Sequence, residues 1–262
     1  MSFLLKILGV PIKQPIPKNE KHSSEKKSFF MPNVFRMALD GMKSEEALEK
    51  YLEKQAKLHP EEYQQAIQDY FKEKLAQRTG LMRHVSFFDR DNTSKLNFWD
   101  VEQGFIDLGF GTISAYLNTI LVIGGGILGT RKKELSVEDS HQLTHPKSHT
   151  ALFNQNRTNF NNEAHENRLN KMVKHFMNGR EQLEEKDIED IVQNLGKNRS
   201  KNCLDEVART LLRPLQRVAF TNILNLNGGS LTEKDLIEFF TGTFFYARAE
   251  PASVAHRVIT MR

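Results

Sequence analysis

Several things are scarce in this chain of 262 residues, and each scarcity removes a class of protein. Cysteine occurs once, at Cys203, so no intramolecular disulfide can form and a bridge-stapled secreted fold is excluded. A reducing, intracellular compartment fits that usage. Charge of one sign is also scarce: the net charge of +4 is spread along the chain, densest at Lys18 to Lys27 and Arg131 to Lys133. So mild an excess describes a solvated surface or an affinity for anionic headgroups, and no nucleic-acid partner is expected. A long hydrophobic leader is missing too. Phe3-Leu4-Leu5 and Ile7-Leu8 are separated by Lys6 and no small-residue cleavage site follows, so the segment is a poor signal peptide. It suits a short amphipathic patch or a frayed terminus.

What is present is ordinary in bulk: 39% hydrophobic and 27% charged residues place the chain among globular proteins, so function must come from local features. Its length fits one domain with tails. Residues 11 to 28 carry Pro11, Pro15 and Pro17 and then a Lys, Glu and Ser mixture without apolar periodicity, so residues 1–28 are read as a flexible tail. Beyond it Ser44 caps a helix whose Ala47, Leu48, Tyr51 and Leu52 share one face. His59-Pro60 stops that helix and starts another, with Glu61 and Glu62 in the first turn and a stripe of Tyr63, Ile67, Tyr70, Phe71 and Leu75. Amphipathic stripes recur around Leu169 to Phe176, Ile188 to Leu195, Val207 to Val218 and Leu236 to Phe240. The fold class is therefore mainly α: an EF-hand-like helical domain over residues 29–250 and a C-terminal tail over 251–262.

Leu108 through Thr130 contains no charged residue, which is long enough to suggest a membrane segment. Six glycines and several Ser, Thr and Asn dilute it, so a buried hairpin, an interfacial segment and a spanning helix stay open. Arg131, Lys132 and Lys133 directly after it suit an anionic membrane surface.

Asp89 to Asp100 matches the EF-hand loop of twelve residues. Oxygen ligands fall at positions 1, 3, 5, 9 and 12 through Asp89, Asp91, Thr93, Asn97 and Asp100, and position 7 needs only the carbonyl of Lys95. Leu96 fills the apolar eighth position. Ser94 stands where glycine is usual, at a cost of roughly 1–2 kcal/mol if the turn stays left-handed. Asp100 is one methylene shorter than the usual bidentate glutamate, while Arg90 and Lys95 offset part of the loop's charge. Weak calcium affinity, or binding of the smaller magnesium, is expected; the alternative is a loop kept as scaffold with no ion. Asn225 to Asp235, with too few carboxylates, is read as its unoccupied partner loop.

The stretch Leu81-Met82-Arg83-His84-Val85-Ser86-Phe87-Phe88-Asp89, continuing through Phe98-Trp99-Asp100 to Gly104-Phe105 and Leu108-Gly109-Phe110, resembles the caleosin family. That family carries a histidine ahead of two aromatics and an EF-hand, with a tryptophan before the loop's last acid. His141-Gln142-Leu143-Thr144-His145 resembles its His-x-x-x-His element, and Phe153-Asn154, Leu183 to Arg199 and Ser230 to Phe245 resemble later segments in the same order. The resemblance spans roughly residues 78 to 248. It implies a heme enzyme, a peroxygenase that transfers oxygen from a hydroperoxide to unsaturated fatty acyl chains, with a lipid hydroperoxide or fatty substrate and a membrane or lipid surface as partners. It implies His84 and His145 as the catalytic, iron-binding pair, with His141 in reserve. The Gly-Ser-Asp after the second family histidine is here Pro146-Lys147-Ser148. No proline lies between Pro60 and Pro146, so the family's proline knot for lipid-droplet targeting has no counterpart.

Rival readings of the same residues are weaker. His141, His145 and His149 would align three zinc-like ligands on one helix, but Pro146 breaks that helix. Thr119 to Gly129 matches a dinucleotide fingerprint with a strand-like lead-in, yet no repeating strand–helix units surround it. No nucleophile elbow supports a hydrolase. The functional alternative to a peroxygenase is a non-catalytic, calcium-responsive, membrane-associated protein that has lost heme.

Overall fold

Ser44 has the extended backbone of a helix cap and accepts from the Ala47 amide to start the second helix of the computed structural model, which describes residues 32–130, 132–139, 163–194 and 217–262. Helix α1 spans Pro32–Gly41, α2 Glu45–Leu58 and α3 Pro60–Lys74. His59 closes α2 and Pro60 opens α3, as its missing N–H allows. Leu48, Leu52 and Ala56 of α2 and Tyr63, Ile67, Tyr70 and Phe71 of α3 are buried, the faces that the periodicity predicts.

The rest is built from helix–loop–strand units. Helix α4 (Gly80–Ser86), strand β1 (Lys95–Leu96) and α5 (Phe98–Asp107) form the first, and α6 (Thr112–Thr130) with β2 (Leu135–Ser136) the second. Helix α7 (Glu163–Met177), β3 (Gln182–Glu184) and α8 (Glu185–Asn194) form the third. Helix α9 (217–226), β4 (Ser230–Thr232) and α10 (Glu233–Thr241) form the fourth. The two-residue strand of the first unit pairs antiparallel with that of the second, Leu96 opposite Leu135, and β3 pairs with β4, Leu183 opposite Leu231. Each pair buries its leucines and satisfies loop backbone that the helices cannot. Helix α11 (Phe244–Arg248) then packs on α3, with Tyr246 stacked on Phe71 at 4.0 Å, and α12 (Pro251–Thr260) packs along α2.

Three expectations change. The loop 225–235 does pair, but with the third unit; the partner of the Asp89–Asp100 loop is the segment around Leu135, which lacks carboxylates at ligand spacing and so gives little motif signal. Residues 251–262, read as a tail, are mostly helix α12, whose Val254, Ala255, Arg257 and Val258 are buried; ten residues rich in small side chains carry too short a stripe to be read from sequence. The uncharged stretch is neither hairpin nor strand lead-in but the single helix α6, and among the described residues no helix is long and apolar enough to cross a membrane.

Candidate functional site

The Asp89–Asp100 loop has the backbone its motif demands. Ser94 sits at φ 61° and Asn92 at φ 52°, so the sixth position is left-handed although it carries a side chain. Buried Asp89 accepts from the amides of Thr93 at 2.8 Å and Ser94 at 2.9 Å, which closes the turn. Asn97 caps α5, accepting from the Asp100 amide at 2.9 Å, while its own amide donates to the Asp100 carboxylate. Asp91 meets the His256 ring, Nε2 to Oδ1 at 3.3 Å.

Burial pushes the Asp89 carboxyl up despite those hydrogen bonds. Asp100 is pushed up first by burial and then by the charges of Asp91 and Asp89. The carboxylate oxygens of Asp89, Asp91 and Asp100 with the Lys95 carbonyl are the donors a hard cation takes. The residue types and backbone thus fit a calcium- or magnesium-like ion. The shell is not yet gathered: among the described residues no three acidic, histidine or cysteine side chains stand close enough to hold a metal. Asp91 and Asp100 are drawn to His256 and Asn97 instead.

The other loops show what the sequence reading missed. Each strand leucine is followed four residues on by an aspartate: Leu96 and Asp100, Leu135 and Asp139, Leu183 and Asp187, Leu231 and Asp235. In the last three a basic side chain of the chain itself meets that acid. Lys132 Nζ bonds Asp139, Arg180 Nε lies 3.1 Å from Asp187, and Arg248 Nη2 lies 2.6 Å from Asp235. Lys132 and Arg180 stand seven residues before their aspartates, the place Thr93 holds before Asp100. A hydrogen bond from Lys132 holds the Asp139 carboxyl below its ordinary value. The repeating Leu-x-x-x-Asp was a visible signal; the cations opposite it were not.

His84 lies half-buried on α4, whose start Thr79 caps by accepting from the Met82 amide. The Phe245 ring lies 4.6 Å from the imidazole, and Phe239 meets it edge-on at 5.2 Å. Gly242 brings the α10–α11 turn against this helix: at φ 81°, a Cβ there would stand 2.2 Å from the Gly80 carbonyl oxygen. Next to His84 the Arg83 guanidinium is buried and donates only to carbonyls, Thr241 at 2.6 Å and Arg78 at 2.9 Å among them. Burial pushes its pKa down to about 10. An imidazole beside aromatic rings is chemistry that would suit holding a heme iron. His141, His145 and His149 lie outside the described residues. An apolar cleft lined by Phe176, Leu183, Leu224 and Phe240 encloses about 10 Å³, room for no acyl chain.

Helix α6 is inside out. Its buried side carries Ser114, Asn118 and Thr119, whose side chains are satisfied within the fold: Asn118 donates to the Ser114 carbonyl, Thr119 to Ala115, and Asn222 of α9 donates to Asn118. Its outer side carries Ile113, Tyr116, Ile120 and Ile127, with Ile113 71% exposed. Trp99, 73% exposed at the end of the cation loop, extends that face through Phe98, which packs 5.4 Å from Tyr116.

Paired helix–loop–strand units, one of whose loops carries oxygen side chains at EF-hand ligand spacing, define an EF-hand-type helical protein. Residues 76–249, about two thirds of the chain, match the family described as Caleosin related protein, and the chain belongs to the caleosin family. Comparison with curated proteins and with solved structures finds no match in either. The family is associated with lipid, calcium and heme.

Proposed function

We propose that this protein works at a lipid surface, that residues 89–100 take a calcium- or magnesium-like cation, and that heme held by His84 and His145, with His141 in reserve, makes it a peroxygenase acting on unsaturated fatty acyl chains. The observation that carries the lipid reading is the reversed helix α6. A helix that buries Ser114, Asn118 and Thr119 while turning Ile113, Tyr116, Ile120 and Ile127 outward gains only where its outer medium is apolar. Trp99 and Tyr116 are the amphipathic rings that favour a headgroup boundary. Lys133 stands exposed just beyond the helix, whereas Lys132 is taken by Asp139. With Trp99→Ser and Ile120→Ser together, binding to anionic phospholipid vesicles in a sedimentation assay is expected to fall roughly ten-fold. Unchanged binding would remove α6 from the interface.

The peroxygenase reading rests on family membership and on the placement of His84 among Phe239 and Phe245. When bound, the heme supplies transfer of an oxygen atom from a hydroperoxide. The chain's own part is to present the His84 imidazole from a helix that Thr79 caps and to flank it with the rings of Phe239 and Phe245. Arg83, fixed by three backbone carbonyls, locks the turn that carries His84. Protein produced with ample heme should show a Soret band that His84→Ala abolishes, and should oxidise an unsaturated fatty acid when given cumene hydroperoxide. A colourless, inactive protein that still binds vesicles would leave only the non-catalytic, lipid-associated reading.

A further inference from the structure

Helix α12 lies outside the family match, yet it is wrapped on the cation loop. Its Arg257, fully buried, donates to the Phe87 carbonyl at 3.1 and 2.9 Å, just before the loop begins, and to Asp107 at 2.9 Å, where α5 ends. Thr260 donates to the Arg90 carbonyl inside the loop at 3.3 Å. Val254, Ala255 and Val258 bury the rest of that face. On this fixed platform His256 stands between two acids, Nδ1 at 3.2 Å from Glu45 and Nε2 at 3.3 Å from Asp91. Asp91 is the third-position ligand of the motif, and here its Oδ1 faces α12.

We propose that α12 is a built-in brake on the cation loop: through His256 it holds Asp91 out of the ligand set, so cation binding and the α12 contact compete for one carboxylate. The proposal rests on the reading of residues 89–100 as a cation loop. Competition follows because the oxygen that faces His256 cannot also face an ion bound between Asp89 and Asp100. Linkage makes the effect mutual: whatever loosens His256 strengthens the site, and a bound cation frees His256. Glu45 is the anchor that keeps the ring in place from α2, so two elements outside the family match, α2 and α12, together set the affinity of a loop that belongs to it.

Terbium reports the site directly, because Trp99, the chain's only tryptophan, adjoins the last ligand and can sensitise its luminescence. The full chain and its His256→Ala variant are titrated with terbium and then displaced with calcium. The expected result is affinity roughly two- to five-fold tighter in His256→Ala, the scale of a partly exposed ion pair. His256→Gln, which keeps one donor of similar reach, should fall between the two. Arg262→Gln removes a positive charge just past α12 that bonds the Leu39 and Met42 carbonyls, and should leave affinity unchanged. Equal or weaker binding in His256→Ala overturns the brake alone, as does an equal gain in Arg262→Gln, which would mark a bulk charge effect. No terbium signal in any of these proteins overturns the brake together with the cation reading.

Discussion

Ser94 shows how a single residue can sit against its own backbone. The loop needs a left-handed sixth residue so that Asp89 can accept from the amides of both Thr93 and Ser94, and a side chain there is disfavoured by roughly 1–2 kcal/mol. Glycine removes that strain but gives the unfolded chain more freedom, which takes back part of the gain. Ser94→Gly is therefore expected to stabilise the protein by about 1 kcal/mol and to tighten calcium binding, read from thermal melts with and without calcium. A lower melting temperature would show that the Ser94 hydroxyl matters more than its φ. This part of the site was legible in advance, since ligand spacing is local. The company of His84 was not: Phe239 and Phe245 reach it from more than 150 residues away.

At the scale of elements, α12 and α5 are joined by one buried ion pair. Burial alone would raise the Asp107 carboxyl; Arg257 nearby and hydrogen bonds from Gln103, Arg257 and Ser253 outweigh it and hold the carboxyl below its ordinary value. A carboxyl depressed in the folded state adds stability above its unfolded pKa of about 4, and that stability is lost as pH falls through the lower folded value. Asp107→Asn leaves Arg257 buried beside a neutral amide, at a cost of about 3–5 kcal/mol near neutral pH. The gap from the parent protein should narrow as pH falls below about 4, toward the lower folded value at which the native acid loses its charge. Urea midpoints at pH 7 and pH 3 check this, and a gap constant across both would show that Asp107 acts by shape alone. Periodicity located α2 and α3 well because each buries a broad apolar stripe. It misread α12, whose main attachment is an arginine, and could not orient α6, because the uncharged residues there occupy both faces.

Across the described residues, four loops share one plan, and in three of them a basic side chain meets the aspartate that follows the strand leucine, while Asp100 meets Asn97 instead. Lys132, Arg180 and Arg248 supply positive charge to Asp139, Asp187 and Asp235, so a divalent ion gains little there and meets repulsion. Titration calorimetry is expected to show one calcium or magnesium site per chain; two or more would mean that a basic side chain gives way to the metal. The paired strands explain why the depleted loops persist. Leu135 and Leu231 bury against their partners and complete short ladders whether or not an ion is present.

The sequence by itself determined what depends on near neighbours: helix starts at Ser44 and Pro60, the helical class, and a ligand set spread over twelve successive positions from Asp89. Those follow from backbone geometry and spacing along one turn or loop. Only the tertiary structure decided which loop pairs with which, which side of α6 meets the outside, and that Asp91 faces His256. Each of these is a competition between partners far apart in the chain, settled by which arrangement buries apolar surface while leaving no buried polar group unmatched.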